Sequence, residues 1–186
     1  MSKRGDITQN INNMHLEQSF FVQTVKTAYP EYFLGTRVLD IGSLDINGNN
    51  RQFFTNCDYT GIDIGEGANV DIVARGHEFI SDEPFDVVIS TECFEHDEYW
   101  RETFFAVVNR HLKSGGLFVF TCATTGRPEH GTRRTSPQDA PFVGDYYCNL
   151  TEKDYRGLVN FDTIFRAYGF KSQTWPADLY FWGIKH

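Results

Sequence analysis

The sequence predicts an α/β fold, a three-layer sandwich in which a mostly parallel seven-stranded sheet ends in a C-terminal antiparallel hairpin. Two observations carry this. Short β-branched or aromatic runs bounded by Gly and Asp alternate with helical patterns, the mark of a parallel sheet built from crossover units. Two further aromatic runs within 169–184 are separated only by a Pro176-Ala177-Asp178 turn, and strands joined so closely pair antiparallel, because parallel neighbours need a far longer connection. A chain of 186 residues with 40% hydrophobic content suits one domain, 1–186, and is too short for two separate cores.

The elements follow in order. Leu16, Phe20, Phe21 and Val25 recur at near-helical spacing until Pro30, which predicts an amphipathic helix and makes residues 1–35 a structural cover for the sheet. Strands are expected at Arg37–Ile41, Tyr59–Asp63, Val70–Val73, Phe85–Ser90 and Leu117–Thr121. Between the last two, Trp100, Phe104, Val107, Val108 and Leu112 share one helical face, and Gly115-Gly116 read as the stop. Thr151 to Asp154 fits a capping box, and Asn160 fits the cap of a short helix through Phe161, Ile164 and Phe165. Residues 122–150 carry no predicted element; a loop of that length is commonly functional.

Composition narrows the function. No stretch approaches the roughly 18 apolar residues of a membrane span, and the polar start resembles no signal peptide, so neither an anchor nor a membrane partner is expected. Cys57, Cys93, Cys122 and Cys148 form no C-x-x-C pair, which favours the reducing cytoplasm, no structural zinc and no metal site. A net charge of −8 repels polyanions and disfavours nucleic acid. The oligomeric state is left open.

Two motifs point to a nucleotide-like ligand. The apolar strand ending Val38-Leu39-Asp40-Ile41 runs straight into Gly42-Ser43, where a missing Cβ lets a ligand approach the backbone. Gly61-Ile62-Asp63 then ends the next strand and puts a carboxylate 21 residues after Gly42, about the spacing at which an acid meets a ribose diol. A nicotinamide fingerprint would need Gly at the positions of Leu44 and Asn47, and a P-loop would need Gly-Lys followed by Ser or Thr; the chain has neither.

In these motifs the chain resembles the class I, Rossmann-like, S-adenosylmethionine-dependent methyltransferase superfamily, and in particular small bacterial methyltransferase-domain proteins, over roughly 36–122 and the terminal hairpin. Phe85-Asp86-Val87-Val88-Ile89-Ser90 with Phe94-Glu95-His96 resembles its fourth motif, and Leu112-Lys113-Ser114-Gly115-Gly116-Leu117 the turn into its fifth strand. The resemblance implies S-adenosyl-L-methionine as cofactor. Asp40 would support the methionine amino group, Gly42 and Ser43 would lie along the methionine moiety, and Asp63 would hold the ribose. Ile64, Gly76, His77, Ser90, Thr91 and Glu92 complete the implied cofactor set. The chain departs from the superfamily at Leu44 and Ile46, where further glycines are usual, and at Arg75, where an acid is common.

The acceptor side falls at the carboxyl end of the fourth strand, where His96 is the leading base candidate and His130 the second, both with suitable unperturbed pKa values. Arg127, Arg133 and Arg134 concentrate positive charge after the fifth strand and are candidates, with Tyr146, to bind the acceptor. The alternative is a solvated loop whose arginines pair with nearby carboxylates. The expected activity is methyl transfer to a small polar or anionic molecule. Two alternatives stand beside it: a cofactor-binding protein without transferase activity, and a Rossmann-like interaction domain that binds no nucleotide.

Overall fold

Seven strands form one sheet in the order β3-β2-β1-β4-β5-β7-β6 in a computed structural model that describes residues 16–186. The first fifteen residues of the expected N-terminal cover lie outside the described residues. The strands are β1 (Arg37–Ile41), β2 (Asp58–Asp63), β3 (Ile72–Val73), β4 (Phe85–Thr91), β5 (Leu112–Ala123), β6 (Phe165–Ser172) and β7 (Asp178–Lys185). β1 to β5 are mutually parallel, and β7 inserts antiparallel between β5 and β6.

Alternation along the central strands fills both faces. Val87, Ile89, Leu117 and Val119 point to a layer shared with Val22 and Val25 of helix α1 (Leu16–Ala28). Val88, Phe118 and Phe120 point to the opposite layer, with Trp100 and Phe104 of α2 (Trp100–Ala106), Tyr155 of α3 (Glu152–Arg156) and Phe161 of α4 (Phe161–Ile164). The expected capping box is present: the Asp154 amide donates to Thr151 Oγ1 (3.4 Å) and the Thr151 amide to Asp154 Oδ2 (2.8 Å). Asn160 Oδ1 likewise caps α4 by accepting from the Asp162 amide.

Four expected features move. The helix does not run to Leu112; it ends in a π-helical turn, Val107–His111, and Leu112 already belongs to β5. Gly115 and Gly116 mark not a helix stop but an irregularity in β5, where pairing with β4 jumps from Phe85–Leu112 to Val87–Leu117 and Gly115 sits at φ +77°. β3 keeps only Ile72–Val73 of the predicted Val70–Val73, because Asn69 turns at φ +68° and Asp71 is drawn to the Gly61 amide (2.7 Å) and Arg51 (2.6 Å). The terminal strand pair begins earlier than expected, at Phe165, which opens β6 instead of closing α4.

Candidate active site

The chain leaves β1 toward β2 and β3, then passes back over β1 to β4, so the sheet reverses direction between β1 and β4. Ligands of open α/β sheets bind outside the carboxyl ends of the strands at such a point. A cavity of about 660 Å³ opens there, a size within the roughly 300–1,000 Å³ of small-molecule sites. Gly42 follows β1, Glu92 and Cys93 follow β4, and all three line it. Gly42 is at φ +78°, and a Cβ on it would stand 2.5 Å from both Cβ and Sγ of Cys93. The amides of Gly42 and Ser43 both donate to the Ile62 carbonyl, at 2.9 and 3.0 Å, which ties the turn to β2.

One half of the cavity is a cradle with polar atoms waiting for partners. Asp63 closes β2 and accepts from the Leu44 and Gly65 amides, both at 3.2 Å; burial pushes its carboxyl above the usual range. Asp40 is almost wholly buried and accepts from Asn50 Nδ2 (3.1 Å) and Tyr59 Oη (2.6 Å), yet burial outweighs these bonds and raises its pKa to about 6. Asn50 Oδ1, Ser43 Oγ and Gln18 Nε2 are buried side-chain atoms without a hydrogen-bond partner among the described residues, and all three residues line the cavity. Buried polar atoms of this kind cost stability unless a ligand or water meets them. An acceptor, a donor and a hydroxyl beside the Gly42 turn fit the amino and carboxylate groups of an amino-acid moiety, and Asp63 fits a diol.

The opposite half is built on the segment after β4. Glu92 adopts φ +52°, its amide donates to the Thr121 carbonyl (2.9 Å), and its Oε1 accepts from Thr121 Oγ1 (2.8 Å). Glu95 is fully buried, with Oε1 accepting from the Ala123 amide (3.0 Å). Burial pushes both carboxyls up, Glu95 to about 7. Burial also drives His96 down to about 3, so its imidazole is neutral at physiological pH. His130 approaches His96 edge-on, with ring centroids 5.0 Å apart.

The long loop folds back as the far wall. Its residues 127–130 and 139–143 line the cavity, and the Phe142 ring sits so close to Gly65 that a Cβ there would lie 2.0 Å from it. Arg127 bonds Asp178 Oδ1 (2.8 Å) and the Pro176 carbonyl (3.0 Å).

Of the residues expected at the site, Asp40, Gly42, Ser43, Asp63, Ile64, Gly76, Thr91 and Glu92 line the cavity, as do His96, His130 and Arg127. The others are held elsewhere. Ser90 is buried and its Oγ donates to the Ile41 carbonyl (2.8 Å). His77 leans on Tyr99, with ring centroids 4.6 Å apart. Arg134 pairs with Glu129 (3.1 Å), Arg133 is exposed, and neither they nor Tyr146 is among the lining residues. For Arg134 the reason is local electrostatics: the Glu129 carboxylate lies within reach and takes the guanidinium first. Sequence reading missed Gln18 and Asn50. Gln18 had a signal, since it is a polar residue seven before Val25 on the face that α1 buries.

Residues 39–120 match the family described as a methyltransferase domain. No curated protein sequence matches the chain. Among solved structures, N-methyltransferase NodS from Bradyrhizobium japonicum WM9, in complex with S-adenosyl-L-homocysteine, superposes with a TM-score of 0.60 at 14% identity, covering 95% of this chain and 93% of that one. The plantazolicin methyltransferase BpumL, also in complex with that product, gives 0.60 at 17% identity over 91% and 84%. The Burkholderia thailandensis 1,6-didemethyltoxoflavin-N1-methyltransferase gives 0.59 at 15% over 91% and 83%. The fold is that of the class I, Rossmann-like methyltransferases. Within 39–120 the chain is thus similar to methyltransferase domains, and solved structures that share its fold include methyltransferases in complex with S-adenosyl-L-homocysteine. Among the described residues, no helix is long and apolar enough to cross a membrane.

Proposed function

We propose that this single-domain enzyme transfers a methyl group to a small polar acceptor held between the cofactor cradle and the wall formed by residues 127–143. The observation that carries this is the two-sided cavity, with orphaned polar atoms on one side and a folded-back loop on the other. When bound, the cofactor supplies an electrophilic methyl group on a sulfonium, so the protein mainly aligns the nucleophile and excludes water. Asp63 accepts from the ribose hydroxyls, Asn50 with Asp40 receives the amino group, and Gln18 Nε2 donates to the carboxylate. Ile64 and Gly76 flank the base. His96 and His130 stand at the acceptor end.

The lining weighs against the anionic alternative. Glu92, Glu129 and Asp139 face the acceptor end, and Arg127 is already committed to Asp178. A neutral or cationic polar acceptor meets less repulsion there. The four free cysteines suit the reducing cytoplasm as the place of action. The test is a thermal melt with S-adenosylhomocysteine. At about one hundred times its dissociation constant the ligand stabilises the fold by roughly 2.7 kcal/mol, or about 5 to 10 °C at this size. A flat response to saturating ligand, with NAD as the control, would favour an interaction domain; stabilisation without turnover of any acceptor would favour a binding protein.

A further inference from the structure

Beside the cradle lies a group of side chains that cofactor binding does not use. Glu95, His96 and His130 each offer one donor atom, and these atoms lie within 4.8 Å of one another. Glu95 Oε2 and His96 Nδ1 are buried without a hydrogen-bond partner among the described residues, and the residues are 0% and 8% exposed. Glu92 Oε2, next to them in the chain, likewise has no hydrogen bond among the described residues, and its nearest cation is Arg127 Nη2 at 4.0 Å. A fold that pairs nearly every buried polar group leaves several lone-pair atoms in one place only at a cost, which a bound cation removes.

Charge points the same way. Glu92, Glu95 and Asp178 gather around one guanidinium, with Arg127 Nη1 at 2.8 Å from Asp178 and Nη2 at 4.0 Å from Glu92. The fully buried Glu95 carboxylate accepts from the Ala123 amide and makes no ion pair within 4.0 Å among the described residues. The backbone is shaped to close the cluster. Gly131, at φ +64°, passes so near His96 that a Cβ would stand 2.6 Å from His96 Cε1, which lets the loop set His130 against His96. His130 Nδ1 contacts the Pro128 carbonyl at 3.1 Å, so that nitrogen carries the proton and the lone pair is on Nε2. A carbonyl that fixes the tautomer from the far nitrogen is the usual support of a metal-binding imidazole.

We propose that Glu95, His96 and His130 form a site for a divalent transition-metal ion at the acceptor end of the cavity. Two imidazoles and a carboxylate suit Mn²⁺, Fe²⁺, Co²⁺ or Zn²⁺ better than Ca²⁺ or Mg²⁺, which take oxygen ligands. Three protein ligands leave coordination positions open, and His96 and His130 both line the cavity, so the open positions face it. The ligand such a position takes is a hydroxyl or other oxygen donor. Resting on the methyl-transfer reading, this names the acceptor class as a hydroxylated molecule whose oxygen binds the ion and gives up its proton to solvent. The ion does for that proton what a neutral buried imidazole does poorly.

The experiment is titration of tag-free, chelator-treated full chain with Mn²⁺, read from the loss of the free-ion electron paramagnetic resonance signal, with no cofactor present. One tightly held ion per chain is expected. His130→Ala, on the more exposed ligand, should fold normally and weaken binding at least about tenfold, while Arg134→Ala should leave it unchanged. A Glu95→Gln variant of wild-type melting temperature should also lose affinity. Absence of Mn²⁺, Co²⁺ and Zn²⁺ binding at millimolar concentration, or binding indifferent to His130→Ala and Glu95→Gln, overturns the proposal. Either result leaves the thermal response to S-adenosylhomocysteine to be judged separately, so failure of the metal site and failure of the methyl-transfer reading are distinct.

Discussion

Replacing Gly42 by alanine is expected to damage the fold and the cofactor site together. At φ +78° the new side chain occupies left-handed backbone space, which costs a non-glycine residue about 1–2 kcal/mol. Its Cβ would also stand 2.5 Å from Cβ and Sγ of Cys93 on the neighbouring strand end, and relieving such overpacking costs about 1–3 kcal/mol. The sum, roughly 2–5 kcal/mol, is a large share of a stability that is typically about 5–15 kcal/mol. In a thermal melt it corresponds to a drop of about 5 to 20 °C. Movement of the turn breaks the paired amide bonds to Ile62 and displaces Ser43, so affinity for S-adenosylhomocysteine should fall at least about tenfold, or 1.4 kcal/mol. Adding Cys93→Gly separates the two costs: a double-mutant cycle should return a favourable coupling of about 1–3 kcal/mol, the packing part, and leave the backbone strain. Wild-type stability and ligand affinity in Gly42→Ala would refute the close approach of the turns that follow β1 and β4.

Asp40, raised from 3.8 to about 6 by burial, holds its proton to higher pH in the folded chain than in the unfolded one. The folded state therefore binds more protons across that window, and stability should fall by on the order of 3 kcal/mol as pH rises through it, then level off. Asp40→Asn should flatten that part of the denaturation midpoint profile; parallel profiles would show that Asp40 titrates normally. Asp63→Ala should weaken S-adenosylhomocysteine by roughly 1.5–3 kcal/mol in calorimetry, and an unchanged affinity in a folded variant would make Asp63 only a support for the Leu44 and Gly65 amides. Gln18→Leu removes an orphaned buried amide, so stability should hold or rise while cofactor affinity drops by about 1–2 kcal/mol; equal affinity would take α1 out of the site.

What the sequence made legible follows from how locally each feature is encoded. Alternation in Phe85–Thr91 and the apolar run Val38–Ile41 announce strands because each residue's burial depends on its own position in the pleat. Gly42 and Asp63 were found together because both sit where a strand ends and a turn begins. The π-helical turn at Val107–His111 was hidden because its apolar residues satisfy an α-helical period equally well. The path of the long loop was hidden for a different reason. It is set by partners far apart in sequence, Phe142 on Gly65 and Arg127 on Asp178, and no local pattern records them. The metal-binding constellation shows the same divide: Glu95 and His96 are adjacent in the chain, whereas His130 joins them only through the fold of that loop.

The antiparallel pairing of β7 with β5 sets opposite Ala123 the residue Asp178, and through it the position of Arg127. A slip of one residue would turn that carboxylate to the other face of the sheet. The order of assembly during synthesis follows from this. The proposed cradle for the methyl donor is complete, apart from its neighbours on β4, once residues 16–76 have left the ribosome. The acceptor wall has no anchor until β7 has been translated and has threaded between β5 and β6. A nascent chain therefore passes through a stage at which it has the elements to grip the donor and has nowhere to seat what the donor would modify.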